Sequence, residues 1–193
     1  MSKRILFLFA AAGIILGAAS SLAAQTANPA VIIKTTKGDI TLELFADKAP
    51  LTVKNFLAYV DAKFYDNTIF HRVIKGFMIQ GGGLTADMAE KPTRAAIRNE
   101  ATNKVKNLRG TIAMARFSAP HTATAQFFIN HANNAMLDNK NTSEEGFGYC
   151  VFGKVTSGLD IVDAIAGVAT GTIKGYEDAP RQAVTILSIR RAQ

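Results

Sequence analysis

The chain is poor in the residues that build covalent, metal and nucleotide chemistry. Its 193 residues include one cysteine, Cys150, so no internal disulfide can form even in an oxidising compartment. Cys150 lies between Tyr149 and Val151 in an apolar run, the setting of a buried thiol. The three histidines, His71, His121 and His131, lack close Cys, Asp or Glu partners at metal-ligand spacing, so neither a metal nor another cofactor is expected. No serine or cysteine nucleophile stands near a histidine and a carboxylate, which counts against a hydrolase. Three consecutive glycines, 81–83, lack the Lys-Ser/Thr and the helix start of a phosphate loop. Lys and Arg outnumber Asp and Glu by 22 to 15, for a net charge of +7. Lys104, Lys106 and Arg109 nevertheless have no interleaved aromatic platform, so they read as a solvated face and nucleic acid is not an expected partner.

Long apolar runs are absent except at the start. Lys3 and Arg4 precede the apolar residues 5–16, and small residues dominate 18–24, the order of a secretory signal peptide. Cleavage could follow Ser21-Leu22-Ala23 or Leu22-Ala23-Ala24. An uncleaved anchor is the rival reading, since residues 5–24 just reach the roughly 20 of low polarity that a span needs, but the apolar core is short and the end small and polar-dotted. No cysteine follows the run, which argues against a lipoprotein. Residues 1–24 are therefore expected to be removed, leaving no membrane contact and a net charge of +5. Residues 25–193 should form one domain that buries roughly 70% of its unfolded surface.

Within that domain, residues 31–35 and 40–44 flank a Thr-Lys-Gly-Asp turn, and Ile40, Leu42 and Leu44 alternate with Thr41 and Glu43. Alternation with one apolar face predicts an antiparallel hairpin. Val53, Phe56, Leu57 and Val60 have the spacing of a helix with one buried face, capped by Thr52 or opened by Pro50. Strands are predicted from 64 to 83, at 110–115, 126–130 and 149–154, and at 183–190. A second helix should begin at Ser157 and stop at Gly167, with Leu159, Val162 and Ile165 inward. Residues 84–109 and 133–148 read as long loops. Roughly eight short strands, two helices and no βαβ alternation argue for a mainly β fold, a closed eight-stranded antiparallel barrel capped by two α-helices. A sandwich with flanking helices is the alternative that the residues alone leave open.

The chemically suggestive stretch is 70–83, Phe-His-Arg-Val-Ile-Lys-Gly-Phe-Met-Ile-Gln-Gly-Gly-Gly. On a strand Met78 and Gln80 share a face and Phe77 takes the other unless the chain bends, which Gly76 permits. This run, with 110–116 (Gly-Thr-Ile-Ala-Met-Ala-Arg), 126–129 (Gln-Phe-Phe-Ile) and 149–155 (Tyr-Cys-Val-Phe-Gly-Lys-Val), resembles the cyclophilins, peptidyl-prolyl cis/trans isomerases of EC class 5.2.1.8. The resemblance spans roughly residues 31–190 and is nearest to the periplasmic cyclophilins of Gram-negative bacteria. It implies the barrel over the sandwich, a monomer in the periplasm, and proline-containing polypeptides as substrates.

The resemblance assigns roles to individual residues. Arg72 is the catalytic candidate; Phe77, Met78, Phe128 and Leu137 match the proline pocket. Gln80 and Gln126 match groups that orient Arg72 and the substrate backbone, and Ala115 with the backbone at Arg116 matches the edge where preceding residues dock. Phe127 reads as core. Met136 stands where the best-known eukaryotic members carry tryptophan and Tyr149 where they carry histidine, so weak cyclosporin binding is expected. Lys75 replaces a common proline, with no consequence readable from the sequence.

Turning an X-Pro bond means breaking amide conjugation, a barrier of about 18–20 kcal/mol, while no covalent bond is made. A nucleophile is unnecessary. A dry pocket for the ring and a fixed donor for the prolyl nitrogen suffice, and a guanidinium supplies the donor. His71 has no acidic proton to take in such a reaction and reads as a packed, hydrogen-bonded residue. A non-catalytic peptide-binding or chaperone module that keeps the pocket without turnover is the alternative function.

Overall fold

A computed structural model of the protein describes residues 28–192. The expected leader, 1–24, lies outside the described residues. Strand β1 (Ala30–Thr35) and β2 (Gly38–Leu44) form the predicted hairpin around Thr36 and Lys37, with Thr35 paired to Gly38. The Thr35 hydroxyl donates to the Gly38 carbonyl at 2.7 Å and accepts from Lys37 N–H at 2.9 Å, which closes the turn. Alternation places Val31, Ile33, Ile40, Leu42 and Leu44 fully inside.

Helix α1 (Pro50–Asp61) buries Val53, Phe56, Leu57 and Val60, the face predicted from spacing. Pro50 occupies the first turn, where its missing N–H costs nothing. Thr52 does not cap the helix. The Glu100 carboxylate, nearly 50 residues away, accepts from the N–H groups of Leu51 (3.2 Å) and Thr52 (2.8 Å) and from the Thr52 hydroxyl (2.8 Å). An anion at a helix N-terminus satisfies orphan donors and opposes the macrodipole, and here it also ties the 84–109 loop to the barrel.

Strands β3 (Thr68–Ile74), β4 (Met78–Thr85), β5 (Thr111–Met114), β6 (Phe127–Asn130) and β7 (Val151–Ser157) follow. Helix α2 (Leu159–Ala166), the hairpin β8 (Thr170–Ile173) and β9 (Tyr176–Pro180), and β10 (Thr185–Arg191) complete the chain. Eight strands close in the order β1-β10-β3-β4-β6-β5-β7-β2, every pair antiparallel. The barrel, not the sandwich, is the fold. Helix α1 follows the Leu44 end of β2, while Ile161 of α2 packs on Gly38 at the other end.

One local expectation fails, and one element is unforeseen. Ser157 is the last residue of β7 and does not cap α2, whose entry is Gly158 at φ 86°; a Cβ there would lie 2.3 Å from the Asp39 carbonyl oxygen. The β8–β9 pair, which the pattern did not signal, lies outside the barrel and packs on β3.

Side chains fill the barrel interior. Phe56 from α1 meets Tyr65, Phe127 and Phe152 at ring separations of 5.3, 5.7 and 5.2 Å, and all four are fully buried. Gly82, at φ 83°, lies where a Cβ would come within 2.7 Å of the Phe127 ring, so the aromatic core reaches the backbone itself. Cys150 is buried, and burial pushes its thiol up to about 11.

Glu100→Ala should destabilise the protein by about 1–2 kcal/mol, the usual worth of a lost helix cap, and Glu100→Gln by less because one acceptor survives. Chemical denaturation of the three proteins checks the order.

Candidate active site

With the interior filled, a hollow opens on the outer wall of the barrel, a groove of about 570 Å³. β3 and β4 form its floor on one side. Arg72 faces Gln80 across their ladder, and Ile74 pairs with Met78 on either side of the Lys75–Gly76 turn. Gly76, at φ 81°, bends the chain so that Phe77 precedes the strand and joins Met78 and Gln80 in the groove.

That turn is pinned. His131 Nδ1 accepts from the Gly76 N–H at 2.9 Å, and the Phe77 carbonyl accepts from His131 N–H (2.9 Å) and the Asn134 amide (2.8 Å). On β6, Phe127 points inward and its neighbour Phe128 outward, opposite Gln80 on β4 and Ala113 on β5. Met78, Ala113, Phe128 and Val151 form a small buried cluster of their own, edged by Phe77, Ala115, Leu137 and Tyr149. Phe128 and Tyr149 meet edge to face at 5.5 Å.

The polar side of the groove differs from expectation in its bonding. The Gln80 amide donates to the Gln126 side-chain carbonyl at 3.0 Å, and neither hydrogen-bonds Arg72. Gly83 lets Gln126 come close, since a Cβ there would lie 2.5 Å from its Cγ. Among the described residues, the anion next to Arg72 is Asp178 of β9, with Oδ2 3.7 Å from Nε, an ion-pair contact too long for a hydrogen bond. Arg116 lies over the Tyr149 ring at 4.8 Å and spends its donors on the carbonyls of Phe117, Ser118, Glu144 and Gly148. Its side chain thus clamps two loops together.

Every residue expected from the sequence lines the groove except Met136. The short 3-10 turn Ala135–Leu137 directs Leu137 inward and leaves Met136 63% exposed. Sequence reasoning missed Phe117, Glu90 and the hairpin residues Gly175, Tyr176 and Glu177 in the wall, together with Asp178. Phe117, adjacent to Arg116 and 79% exposed, was within reach of the motif. The hairpin carried no signal, being about 100 residues from Arg72 and neither alternating nor strongly apolar. A second hollow of about 490 Å³ shares Gln80, Ala115, Arg116 and Gln126 with the first.

His71 is packed as expected, 5% exposed and edge-on to Tyr176 at 6.3 Å, but its Nδ1 has no hydrogen-bond partner. Burial, and then the neighbouring charge of Arg72, holds its pKa down to about 4, so the ring is neutral at neutral pH. A groove with an apolar cup, a bonded amide pair and the half-exposed Arg72 guanidinium, beside an Arg116 already committed to backbone carbonyls, can bind and distort a peptide.

Comparisons with known proteins agree with that geometry. Residues 30–191 match the family model for "Cyclophilin type peptidyl-prolyl cis-trans isomerase/CLD". The chain is 55% identical to peptidyl-prolyl cis-trans isomerase B of Escherichia coli (strain K12) over 159 residues, 82% of this chain and 97% of the relative. It is 47% identical to peptidyl-prolyl cis-trans isomerase A of Dickeya dadantii (strain 3937) over 190 residues, 98% of each. Among solved structures it is similar to the cyclophilin type peptidyl-prolyl cis-trans isomerase of Cryptosporidium parvum, at TM-score 0.70 and 29% identity, covering 86% of this chain and 98% of that one. A second crystal structure of that protein, at TM-score 0.69, was determined in the presence of the dipeptide Ala-Pro.

His71 makes a pH prediction. Its folded pKa lies below the ordinary value of 6.5, so the unfolded chain binds the proton first and stability falls as pH drops from about 6.5 to about 4. The loss should be on the order of 2–3 kcal/mol. In His71→Gln that part of the slope should vanish, read as the difference between the two proteins in denaturation curves at pH 7 and pH 4.5.

Proposed function

The chain belongs to the cyclophilin-type peptidyl-prolyl cis-trans isomerases, and on that premise we propose that it turns X-Pro bonds by a non-covalent mechanism in which Arg72 acts on the prolyl nitrogen. The proline ring sits against Phe77, Met78, Phe128 and Leu137. Gln80 and Gln126 present the remaining ends of their amides to the substrate backbone, and the residues before proline lie along Ala115 and Arg116. The observation that carries this reading is the convergence of one half-exposed guanidinium with an apolar cup on a single wall.

The energetics follow from the reaction. In a planar X-Pro amide the nitrogen lone pair is conjugated and accepts poorly; as the bond twists, the pair localises and becomes an acceptor. A guanidinium donor therefore binds the twisted state better than the planar one, which is the condition for acceleration. Raising turnover from ~10⁻² to ~10³ per second takes about 7 kcal/mol off the barrier. One charged hydrogen bond supplies about 1.5–3 kcal/mol, so the larger share falls to preorganised dipoles and exclusion of water. The pinned Gly76–Phe77 turn, the Gln80–Gln126 bond and the Arg116 clamp support that share, because each holds a wall residue before substrate arrives.

In the same reading the protein works as a monomer in the periplasm on exposed prolines of other polypeptides. One chain's own elements build the groove. The basic start, apolar run and small-residue end of 1–24 precede the family match, which begins at residue 30. Mass spectrometry of the exported protein should find the N-terminus at Ala24 or Gln25. Met136 in place of the indole keeps cyclosporin binding weak.

Arg72→Ala should lower kcat/KM in a protease-coupled proline-peptide assay by about 10- to 100-fold, the worth of one charged hydrogen bond, with an unchanged circular dichroism spectrum. An unchanged rate removes Arg72 from its role.

A further inference from the structure

Arg72 is long, 44% exposed at its side chain, and held by no hydrogen bond among the described residues. A free arginine samples many rotamers, whereas a donor that must meet a nitrogen in mid-rotation has to be in place beforehand. The cross-strand neighbour that could hold it, Gln80, bonds Gln126 instead. What approaches Arg72 is the Asp178 carboxylate, 3.7 Å from Nε. We propose that Asp178 is the positioning residue for Arg72: it engages the Nε edge of the guanidinium and leaves the terminal nitrogens to the substrate.

The support is as built as the contact. Asp178 sits in the left-handed region, φ 57°, which turns the strand locally and suits Asp or Asn. On one side of it Tyr176 packs against the buried His71; on the other, Ala179 is fully buried in a cluster with Ile69, Leu84 and Met88. Lys174, at the hairpin tip, donates to the Asp87 carbonyl at 2.8 Å, and Arg181 N–H to the Ala169 carbonyl at 2.9 Å. The β8–β9 hairpin is thus fastened to the outside of β3 and delivers one carboxylate beside the arginine of that strand. This gives the hairpin, which adds nothing to barrel closure, a part in the reaction.

The inference rests on the reading that Arg72 acts on the prolyl nitrogen, and the experiment separates the two. Asp178→Asn keeps a side chain that tolerates the left-handed backbone and removes the charge. In exchange spectroscopy on a proline peptide, kcat should fall about 3- to 10-fold with KM within 1.5-fold, because orientation matters in the twisted state more than in the bound one. In an Arg72→Ala background the same change should have no effect, since nothing remains to position. A rate for Asp178→Asn within about 1.5-fold of wild type, a rise in rate, or an equal loss in the Arg72→Ala background overturns the inference. If Arg72→Ala loses rate and Asp178→Asn does not, only the positioning role falls; if Arg72→Ala is itself silent, the reading beneath it falls as well.

Discussion

A closed eight-strand barrel has an interior just wide enough for side chains, and here four aromatic rings from α1, β6, β7 and the segment before β3 occupy it. A substrate cannot enter. Because successive residues on a strand point to opposite faces, each strand that sends one residue into this core sends its neighbour out. Phe127 and Phe128 are the case in point: the first completes the aromatic core, and the second becomes the wall of a groove on the outside. Core and groove are therefore two faces of the same strands, and the packing of one holds the other in register.

That coupling explains how a shallow outer groove can be rigid. Met78 and Phe128 stand on β4 and β6, whose inner faces are fully packed, so their positions are set by the interior. The parts not on strands are bonded down individually. His131 and Asn134 hold the turn that carries Phe77, Arg116 joins the 116–118 loop to 144–148, and Glu100 fastens the 84–109 loop to the start of α1. Long loops in a compact domain need such ties to stay ordered. In the non-covalent mechanism proposed above, a wall that does not have to reorganise is the main resource.

Much of this was legible from the chain. Periodicity of two in 40–44 and of 3.6 in 53–60 identified a hairpin and a helix correctly, because each element buries one face and each period is a property of the backbone. The resemblance to a known family assigns the groove residues, and all but Met136 line the hollow. What the chain does not show is which polar groups meet. Pro50 opens α1 as its position suggests, but the carboxylate at that helix start is Glu100, and Gln80 and Gln126, which the resemblance matches to groups orienting Arg72 and the substrate backbone, bond each other. Such partners are set by distance in space.

The alternation, the two amphipathic faces and the residue types available for chemistry can be read from the chain alone, since they depend on residue type and on spacing along one backbone. That β8 and β9 form a hairpin on β3, that Met136 turns outward and that Asp178 stands beside Arg72 emerge only once the chain is folded. The contacts of β9 with β3 and of Asp178 with Arg72 join residues about 100 positions apart, and strands as short and half-exposed as β8 and β9 leave no periodic trace from which the juxtaposition could be read.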